Sequence, residues 1–326
     1  MAQEPIGATN EEVVVVHEPV SFQSTDGHST CRGDLWYPAH NAPKGVVQLV
    51  HGMAEYIGRY TPFALELVAA GYAVCGTDHI GHGRTTPDPA ERGVYDPKHG
   101  ADHLIEDQHL LRLRVQRRFP DAPYVIFGHS MGSFVTRCYI QRHGAGLAAA
   151  VIMGTGWQAS AAVAAGKGLV RAMALVKGWD YRSKLVDGMG VGGYNKKFEG
   201  TGAKTGVEWL SREEKRCTDY VADPDCGFMF SISGYNALFT LLGECEDSRQ
   251  IANVPQDLPI LVISGGDDPV GEFGDGPAQV ADALEAAGVQ DVTLELIEGA
   301  RHEILGETNK AEVFRTIIDW INAHSN

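Results

Sequence analysis

Short apolar runs alternate with longer amphipathic stretches over most of the chain. A run such as Val46–Val50 has the length and the β-branched character of a buried strand. Between the runs, apolar side chains recur every three or four residues, which is the spacing of a helix with one buried face. Strands that alternate with helices predict a mostly parallel sheet with helices on both faces. The predicted strands are 46–50, 72–77, 124–127, 148–153, 259–264 and 292–297, and predicted helices begin near 61, 104, 132, 276 and 312.

Two segments of the chain, one at its start and one in its middle, depart from this alternation of strands and helices. Residues 13–37 predict two further strands that meet at the turn Thr25-Asp26-Gly27. From 155 to 250 the strand signal stops, and the pattern predicts an alanine-rich helix at 161–176, a glycine-rich loop at 188–206 and a helix at 233–242. We therefore predict a core formed by residues 1–154 and 251–326, which is interrupted by an insertion at 155–250. The insertion accounts for the length of 326 residues.

Charge and composition restrict the partners and the compartment. The net charge of −15 repels nucleic acid and anionic lipid, so neither is an expected partner. The polar segment 1–12 lacks the features of a secretory signal, and no run approaches 18 apolar residues, so we expect a cytoplasmic protein without stable membrane insertion. None of the six cysteines forms a C-x-x-C pair, and a disulfide among Cys217, Cys226 and Cys245 is not favoured.

The clearest candidate for chemistry lies at residues 128–132, which read Gly-His-Ser-Met-Gly. In this G-x-S-x-G pattern a serine occupies a sharp turn between a strand and a helix, and the flanking glycines let the chain close tightly. The pentapeptide alone is a weak signal. Here an apolar strand precedes it and a helical pattern follows it, so we predict that Ser130 is a nucleophile.

A serine nucleophile requires a base and a carboxylate that orients the base. In this fold the order along the chain is serine, acid, histidine, each directly after a strand. Residues 265–269 read Gly-Gly-Asp-Asp-Pro after one predicted strand, and residues 298–303 read Glu-Gly-Ala-Arg-His-Glu after the next. His302 is therefore the predicted base, and the local sequence leaves Asp267 and Asp268 as alternatives for the acid.

The tetrahedral intermediate of acyl transfer carries an oxyanion that needs two preorganised N–H donors. The residue after the nucleophile supplies one, which is the backbone N–H of Met131. The second comes from the loop after the strand that ends at His51-Gly52, so the backbone N–H of Met53 is predicted. Methionine suits these positions because only its backbone takes part.

Other motifs point to no metal or cofactor. Residues 78–83 read Asp-His-Ile-Gly-His-Gly and are expected to be hydrogen-bonded loop formers, since no H-E-x-x-H pattern accompanies them. No Walker loop or dinucleotide glycine pattern follows the first strands. Five aromatic residues of the insertion are candidates for an acyl pocket or for the core of the insertion itself: Trp157, Trp179, Trp209, Phe228 and Phe230.

These motifs together resemble the α/β-hydrolase superfamily, in particular its monoacylglycerol lipase and lysophospholipase-like branch with a serine-aminopeptidase-type domain. The resemblance covers nearly the whole chain from about residue 18. It rests on His51-Gly52-Met53-Ala54-Glu55 with Arg59-Tyr60, on residues 78–84, 128–133, 268–271 and 299–303, and on residues 194–198 and 223–228 of the insertion.

The resemblance implies an eight-stranded, mostly parallel sheet, a mainly helical lid at 155–250 and hydrolysis of carboxylic esters of monoacylglycerol or lysolipid type. It favours Asp268, which precedes a proline, as the acid. A peptidase or amidase, a C–C hydrolase and a non-catalytic binding protein are the alternatives on the same fold. The carboxylates available to anchor a substrate amine are Glu213, Glu214 and Asp219. A small ester is the expected partner, and a homo-oligomer stays open.

Overall fold

A computed structural model describes residues 13–199 and 204–325. Within them, eight strands form one sheet in the order β1-β2-β4-β3-β5-β6-β7-β8. β2 runs antiparallel to both of its neighbours, and the other neighbouring pairs are parallel. The strands are β1 (Val15–Gln23), β2 (Thr30–Pro38), β3 (Val46–Val50), β4 (Ala73–Asp78), β5 (Tyr124–His129), β6 (Ala149–Met153), β7 (Ile260–Gly265) and β8 (Val292–Ile297).

Helices cover the sheet and fill the segment between β6 and β7. The predicted α/β fold with an eight-stranded, mostly parallel sheet is confirmed. No helix in the described ranges 13–199 and 204–325 combines the length and the apolar character that a membrane crossing requires. The helices are α1 (Thr61–Ala69), α2 (Gly100–Arg118), α3 (Met131–His143), α4 (Ser160–Lys177), α5 (Lys184–Met189), α6 (Glu214–Ala222), α7 (Ile232–Cys245), α8 (Ser248–Ile251), α9 (Asp275–Ala286) and α10 (Lys310–His324).

The central strands are apolar because both of their faces are covered. Every residue of β3, β5, β6 and β7 is buried. One hydrophobic cluster packs α1 and α10 onto one face of the sheet through side chains such as Phe63 and Phe314, whose rings lie 5.0 Å apart. On the other face, α3 packs against the sheet and against α7. The carboxyl ends of the parallel strands therefore meet at one edge, where the loops that follow β3, β5, β7 and β8 converge.

The helices between β6 and β7 share their core with α3. Val163 and Val170 of α4 lie in the same hydrophobic cluster as Leu241 of α7 and Phe134 of α3. The predicted glycine-rich loop, 188–206, differs from the expectation over residues 188–198, and residues 200–203 of it lie outside the described residues. Within it, α5 ends at Met189, and a 3-10 helix spans Val191–Phe198. The hydroxyl of Ser183 accepts a hydrogen bond from the backbone N–H of Val186 and so caps α5. This cap lies outside the glycine run that suggested a loop.

Candidate active site

Ser130 occupies the turn between β5 and α3 in a strained backbone conformation, with φ 54° and ψ −123°. The chain closes there because glycines stand on both sides. A Cβ atom on Gly128 would lie 2.2 Å from the carbonyl oxygen of Gly132, and one on Gly132 would lie 2.1 Å from the carbonyl oxygen of Val50. The strain is typical of a residue whose position matters for function. The arrangement presents the serine at the first turn of α3.

Asp268 and His302 come together although 34 residues separate them in the sequence. His302 Nδ1 lies 2.8 Å from Asp268 Oδ2, and both side chains are buried. The other carboxylate oxygen, Oδ1, accepts a hydrogen bond from the backbone N–H of Val270 at 2.9 Å. Asp267 is exposed instead. Of the two candidate acids, the structure therefore places Asp268 against the histidine.

The environment of His302 acts on its protonation in two directions. Burial by itself disfavours the charged imidazolium, but the charge of Asp268 and its hydrogen bond outweigh burial and raise the pKa of His302 above 6.5. The ring also contacts Trp209, with centroids 5.0 Å apart, and His129, with centroids 4.8 Å apart. The hydrogen bond to Asp268 fixes the proton on Nδ1, so Nε2 is the nitrogen that is free to act as a base.

The loop after β3 has an unusual hydrogen-bond pattern. The backbone N–H of Gly52 donates to Glu55 Oε1 at 2.7 Å, and that of Ala54 donates to His82 Nε2 at 3.1 Å. Between them, the N–H of Met53 has no protein acceptor among residues 13–199 and 204–325, and the same holds for Met131. Both methionines border the cavity that contains Ser130. The two N–H groups thus belong to residues at the same cavity as Ser130, which makes them candidates for binding an oxyanion.

Three buried histidines brace this loop rather than standing free. The Nε2 atom of His51 accepts a hydrogen bond from the backbone N–H of His79 at 2.9 Å. His79 Nε2 donates to the carbonyl oxygen of His51 at 3.0 Å, and His82 Nδ1 lies 3.0 Å from the carbonyl oxygen of Ile80. Burial lowers the pKa of His79 to about 4 and that of His82 to about 3, so both rings are neutral at pH 7. Residues 78–83 thus form a hydrogen-bonded loop.

A cluster of buried charges lies beside the candidate triad. Arg59 donates to both carboxylate oxygens of Glu303, at 2.8 and 2.9 Å, and to Glu55 Oε2 at 2.6 Å. Arg216 Nε donates to Glu303 Oε2 at 2.6 Å. Burial opposes the charged carboxylate, but the two guanidinium groups prevail and lower the pKa of Glu303 to about 2. In this arrangement the negative charges of two carboxylates and the positive charges of two guanidinium groups compensate one another.

A cavity of about 720 Å³ opens between the sheet edge and the helices that follow β6. Ser130 and His302 both line it, with Met53 and Met131 beside them. The greater part of its wall is apolar, which is typical of a site for a small organic ligand. The apolar wall includes Val163, Gly166 and Leu169 from α4 and Leu238, Phe239 and Leu242 from α7.

Comparison with known proteins identifies the family. Residues 41–309 match the family described as serine aminopeptidase, S33, which covers well over half of the chain. The chain belongs to this family of α/β-hydrolases. The prediction of an enzyme of the esterase and monoacylglycerol lipase type is confirmed by relatives of those two kinds.

Individual members of the family are similar over nearly the full length. A monoacylglycerol lipase from Mycolicibacterium smegmatis is 28% identical over 294 residues, which cover 89% of this chain and 92% of the relative. The crystal structure of a carboxyl esterase from Bacillus coagulans is 30% identical and superposes with a TM-score of 0.87 over 95% of this chain and 99% of that one. A lipase in its open form is 26% identical, with a TM-score of 0.84 over 95% and 100% of the two chains.

The aromatic residues predicted for the acyl pocket divide in this S33-family hydrolase. Trp209 and Phe228 line the cavity. Phe230 is buried against Tyr95, with ring centroids 5.5 Å apart. Trp157 and Trp179 pack against the hydrophobic core instead. All six cysteines are free thiols, and each is buried.

The charge cluster is the part of the site that sequence reasoning missed. Glu55, Arg59 and Glu303 stand within the segments that carried the family resemblance, but no role followed from their sequence alone. Arg216 gave no signal, because an arginine in a polar helix is normally a solvated surface residue. A charged residue directly after the candidate base His302 was the one available hint.

Proposed function

We propose that Ser130 is the nucleophile of a Ser-His-Asp ester hydrolase. The observation that carries the proposal is the buried pair of His302 and Asp268, whose Nδ1 and Oδ2 atoms lie 2.8 Å apart. His302 lines the cavity that also contains Ser130. The strained turn at Ser130 supports the same role. The names of the relatives, a carboxyl esterase and a monoacylglycerol lipase, agree with this chemistry.

In the first half of the reaction, Ser130 Oγ attacks the carbonyl carbon of the ester while Nε2 of His302 takes its proton. The N–H groups of Met53 and Met131 bind the oxyanion of the tetrahedral intermediate. The intermediate collapses by breaking the bond to the alcohol oxygen, which receives the proton from His302. An alcohol leaves, and an ester of Ser130 stays behind.

In the second half, water attacks the acyl carbon and gives its proton to His302. The new tetrahedral intermediate expels Ser130 Oγ, which regains the proton, and the carboxylic acid leaves. Asp268 holds the imidazole in one tautomer and stabilises its positive charge in both halves. The residues present complete the cycle with water as the only co-reactant.

The cavity indicates the type of substrate. Its size of about 720 Å³ and its apolar wall between α4 and α7 suit the acyl chain of a monoacylglycerol-like or lysophospholipid-like ester, or of another small acyl ester. We propose residues 155–250 as the lid over this cavity, because α4, α5 and α7 contribute much of its wall.

The amidase alternative requires a carboxylate that anchors a substrate amine in this cavity. Glu213, Glu214 and Asp219 are absent from its wall as the described residues form it. Glu214 instead pairs with Lys204, and Asp219 pairs with Lys215. The carboxylates that do line the cavity have partners already. Arg59 pairs with Glu55 and Glu303, and the Tyr235 hydroxyl donates to Asp187. These contacts favour an ester over an aminoacyl amide.

The test compares Ser130→Ala with wild type and with Ser160→Ala, which changes an exposed serine of α4. We expect a fluorophosphonate probe to label wild type and Ser160→Ala, and Ser130→Ala to lose both the labelling and ester hydrolysis. The substrates are p-nitrophenyl esters from acetate to palmitate, monoacylglycerols and an aminoacyl amide. Turnover of esters by Ser130→Ala would contradict the mechanism, and a preference for the amide would contradict the substrate class.

A further inference from the structure

Helix α6 (Glu214–Ala222) of the insertion lies directly against the loops that carry the candidate catalytic groups. The hydroxyl of Tyr220 donates to the carbonyl oxygen of Ala54 at 3.3 Å, one residue after Met53. The guanidinium of Arg59 lies over the Tyr220 ring, 4.9 Å from its centroid. The insertion therefore contacts the loop after β3, residues 51–55, which carries Met53 and is called the oxyanion loop below, in addition to lining the cavity.

Arg216, one turn before Tyr220 on α6, contacts the loop that carries His302. Its Nε atom donates to Glu303 Oε2 at 2.6 Å, next to the candidate base. Its aliphatic stem lies on Gly306, where a Cβ atom would come within 2.9 Å of Arg216 Cδ and 2.7 Å of Arg216 Nε. The loop after β8 thus has a glycine at the point where the Arg216 side chain crosses it. About a quarter of the Arg216 side chain is exposed to solvent.

From Glu303 the contacts continue to the oxyanion loop without a gap. Arg59 donates to both oxygens of Glu303 and to Glu55 Oε2. The other oxygen of Glu55 accepts the backbone N–H of Gly52 at 2.7 Å, directly before Met53. Each of these contacts is a hydrogen bond between charged groups or to a charged group, which is the strong class. This series of hydrogen bonds connects α6 to the loop that carries His302 and to the loop that carries Met53.

We infer that Arg216 is a positioning residue of the hydrolase: it holds the His302 loop and, through Glu303, Arg59 and Glu55, the oxyanion loop in their productive arrangement. The inference rests on the proposed function of these loops. It assigns to the insertion a part in the chemical step as well as in substrate binding. Arg216 touches neither Ser130 nor the proposed oxyanion donors, so its effect passes through Glu303.

The nature of the contact predicts which kinetic constant changes. Arg216 is not among the residues that line the cavity around Ser130, as the described residues form it, so its loss removes no contact to an acyl chain. It does remove one of the two guanidinium partners of Glu303 and leaves that carboxylate with Arg59 alone. When these two loops are held less firmly, the base and the oxyanion donors are misaligned. Small misalignments of this kind lower kcat rather than raise KM.

The experiment uses the full chain with p-nitrophenyl butyrate, a short ester that depends little on the acyl end of the cavity. We expect Arg216→Met to lower kcat by about 10- to 100-fold, with KM within about twofold of wild type. Labelling of Ser130 by a fluorophosphonate should slow in parallel. Arg216→Lys keeps the charge and the stem and should recover part of the lost kcat.

The matched control is Lys215→Met, which removes a charge from the neighbouring position of α6, where the side chain is exposed and pairs with Asp219. Its kcat should stay within about twofold of wild type. If Arg216→Met fails to fold, as judged by its melting transition, Arg216→Gln takes its place and is held to the same outcomes.

Two results would overturn the inference. The first is a folded Arg216 variant with the kcat of wild type, and the second is one whose defect lies in KM alone. A lysine variant without any recovery relative to methionine would also count against it. Failure of the proposed function is distinct, because wild type would then show neither probe labelling nor ester turnover, and the inference would fall with it.

Discussion

Asp268 Oδ2 lies 2.8 Å from Nδ1 of His302, whereas the adjacent carboxylate of Asp267 is exposed. The two aspartates differ by one position in a tight loop, yet only Asp268 is completely buried. Its second oxygen is held by the backbone N–H of Val270. The choice between them is thus made by which side chain the loop turns inward.

The first prediction separates these aspartates by matched substitutions. Asp268→Asn should lower kcat by about 10³- to 10⁴-fold, because an amide stabilises neither the required tautomer nor the imidazolium. Asp267→Asn changes an exposed side chain and should leave kcat within about twofold of wild type. The measurement is steady-state hydrolysis of a p-nitrophenyl ester. A larger loss in Asp267→Asn would reverse the assignment.

The second prediction concerns the acid limb of the pH–rate profile. His302 acts as a base only when neutral, and its pKa lies above 6.5 because Asp268 outweighs the opposing effect of burial. Besides Asp268, the charges of Glu303 and Glu55 raise this pKa, while the rings of Trp209 and His129 contact the imidazole. We therefore expect kcat/KM to fall as the pH drops, with its midpoint above 6.5.

Asp268→Asn provides the comparison for this profile. Without the aspartate, burial is opposed only by the charges of Glu303 and Glu55, so the midpoint of the residual activity should move to lower pH. The measurement is kcat/KM from about pH 5 to 9 for both proteins. An unchanged midpoint in the variant would show that another group limits the reaction at low pH.

Much of the fold and the candidate site could be predicted from local sequence. The buried strands are continuous apolar runs because helices cover both faces of the sheet, and such runs are legible without a structure. The turn at Ser130 is equally legible, since its steric demand fixes glycine at 128 and 132. His302 followed from its place after the last strand. In these cases one short segment contains the whole physical reason.

The features that could not be predicted depend mainly on contacts between segments that are distant in the sequence. Arg216 and Glu303 are 87 residues apart, and neither residue reveals its partner by its own surroundings in the sequence. Asp267 and Asp268 share one local sequence, and the burial of Asp268 separates them physically, in agreement with the family resemblance. By contrast, the cap of α5 by Ser183 is a local signal, three residues before Val186, and it precedes the glycine run that suggested a loop. The pairing of Arg216 with Glu303 and the burial of Asp268 are set by tertiary structure that local patterns do not encode.

The third prediction tests the packing of the oxyanion loop. A Cβ atom on Gly52 would lie 2.7 Å from Glu55 Oε1 and 3.0 Å from Ser130 Cβ. Gly52→Ala should therefore displace the Met53 N–H and lower kcat by about 100-fold, the size expected for losing one oxyanion donor. The reference is Gly168→Ala in α4, where a Cβ atom meets nothing within 4 Å. That variant should keep its kcat, and equal rates in both would contradict the role of the loop.

The fourth prediction locates the acyl chain. Leu238 of α7 lines the cavity, so a tryptophan there should occupy part of the space between α7 and α4. For Leu238→Trp we expect the ratio of palmitate to acetate ester hydrolysis to fall by about tenfold, since the loss of room for one methylene in an apolar pocket costs about 1–3 kcal/mol. Leu175→Trp changes a side chain of α4 that is 90% exposed and serves as control. An unchanged ratio in Leu238→Trp would place the acyl chain elsewhere.

The last prediction concerns stability and follows from the three buried histidines at the oxyanion loop. Burial lowers the pKa of His79 to about 4, that of His82 to about 3 and that of His51 well below 6.5. As the pH falls below 6.5, the unfolded chain binds protons at these sites and the folded protein does not. The free energy of unfolding should then fall by roughly 1.4 kcal/mol per pH unit for each histidine.

His109, whose pKa burial also lowers, adds to this fall, whereas Glu303 acts outside this pH window and His302 acts with the opposite sign. Glu303 has a pKa lowered to about 2 from 4.5, so its stabilising contribution is lost only below about pH 4.5. His302 has a raised pKa, so its contribution is present below 6.5 and is lost as the pH rises. Urea unfolding followed by tryptophan fluorescence at about pH 7.5 and 5 measures the net change in the free energy of unfolding. His82→Asn should reduce the dependence by about one proton, and stability that is independent of pH would contradict the neutral state of these rings.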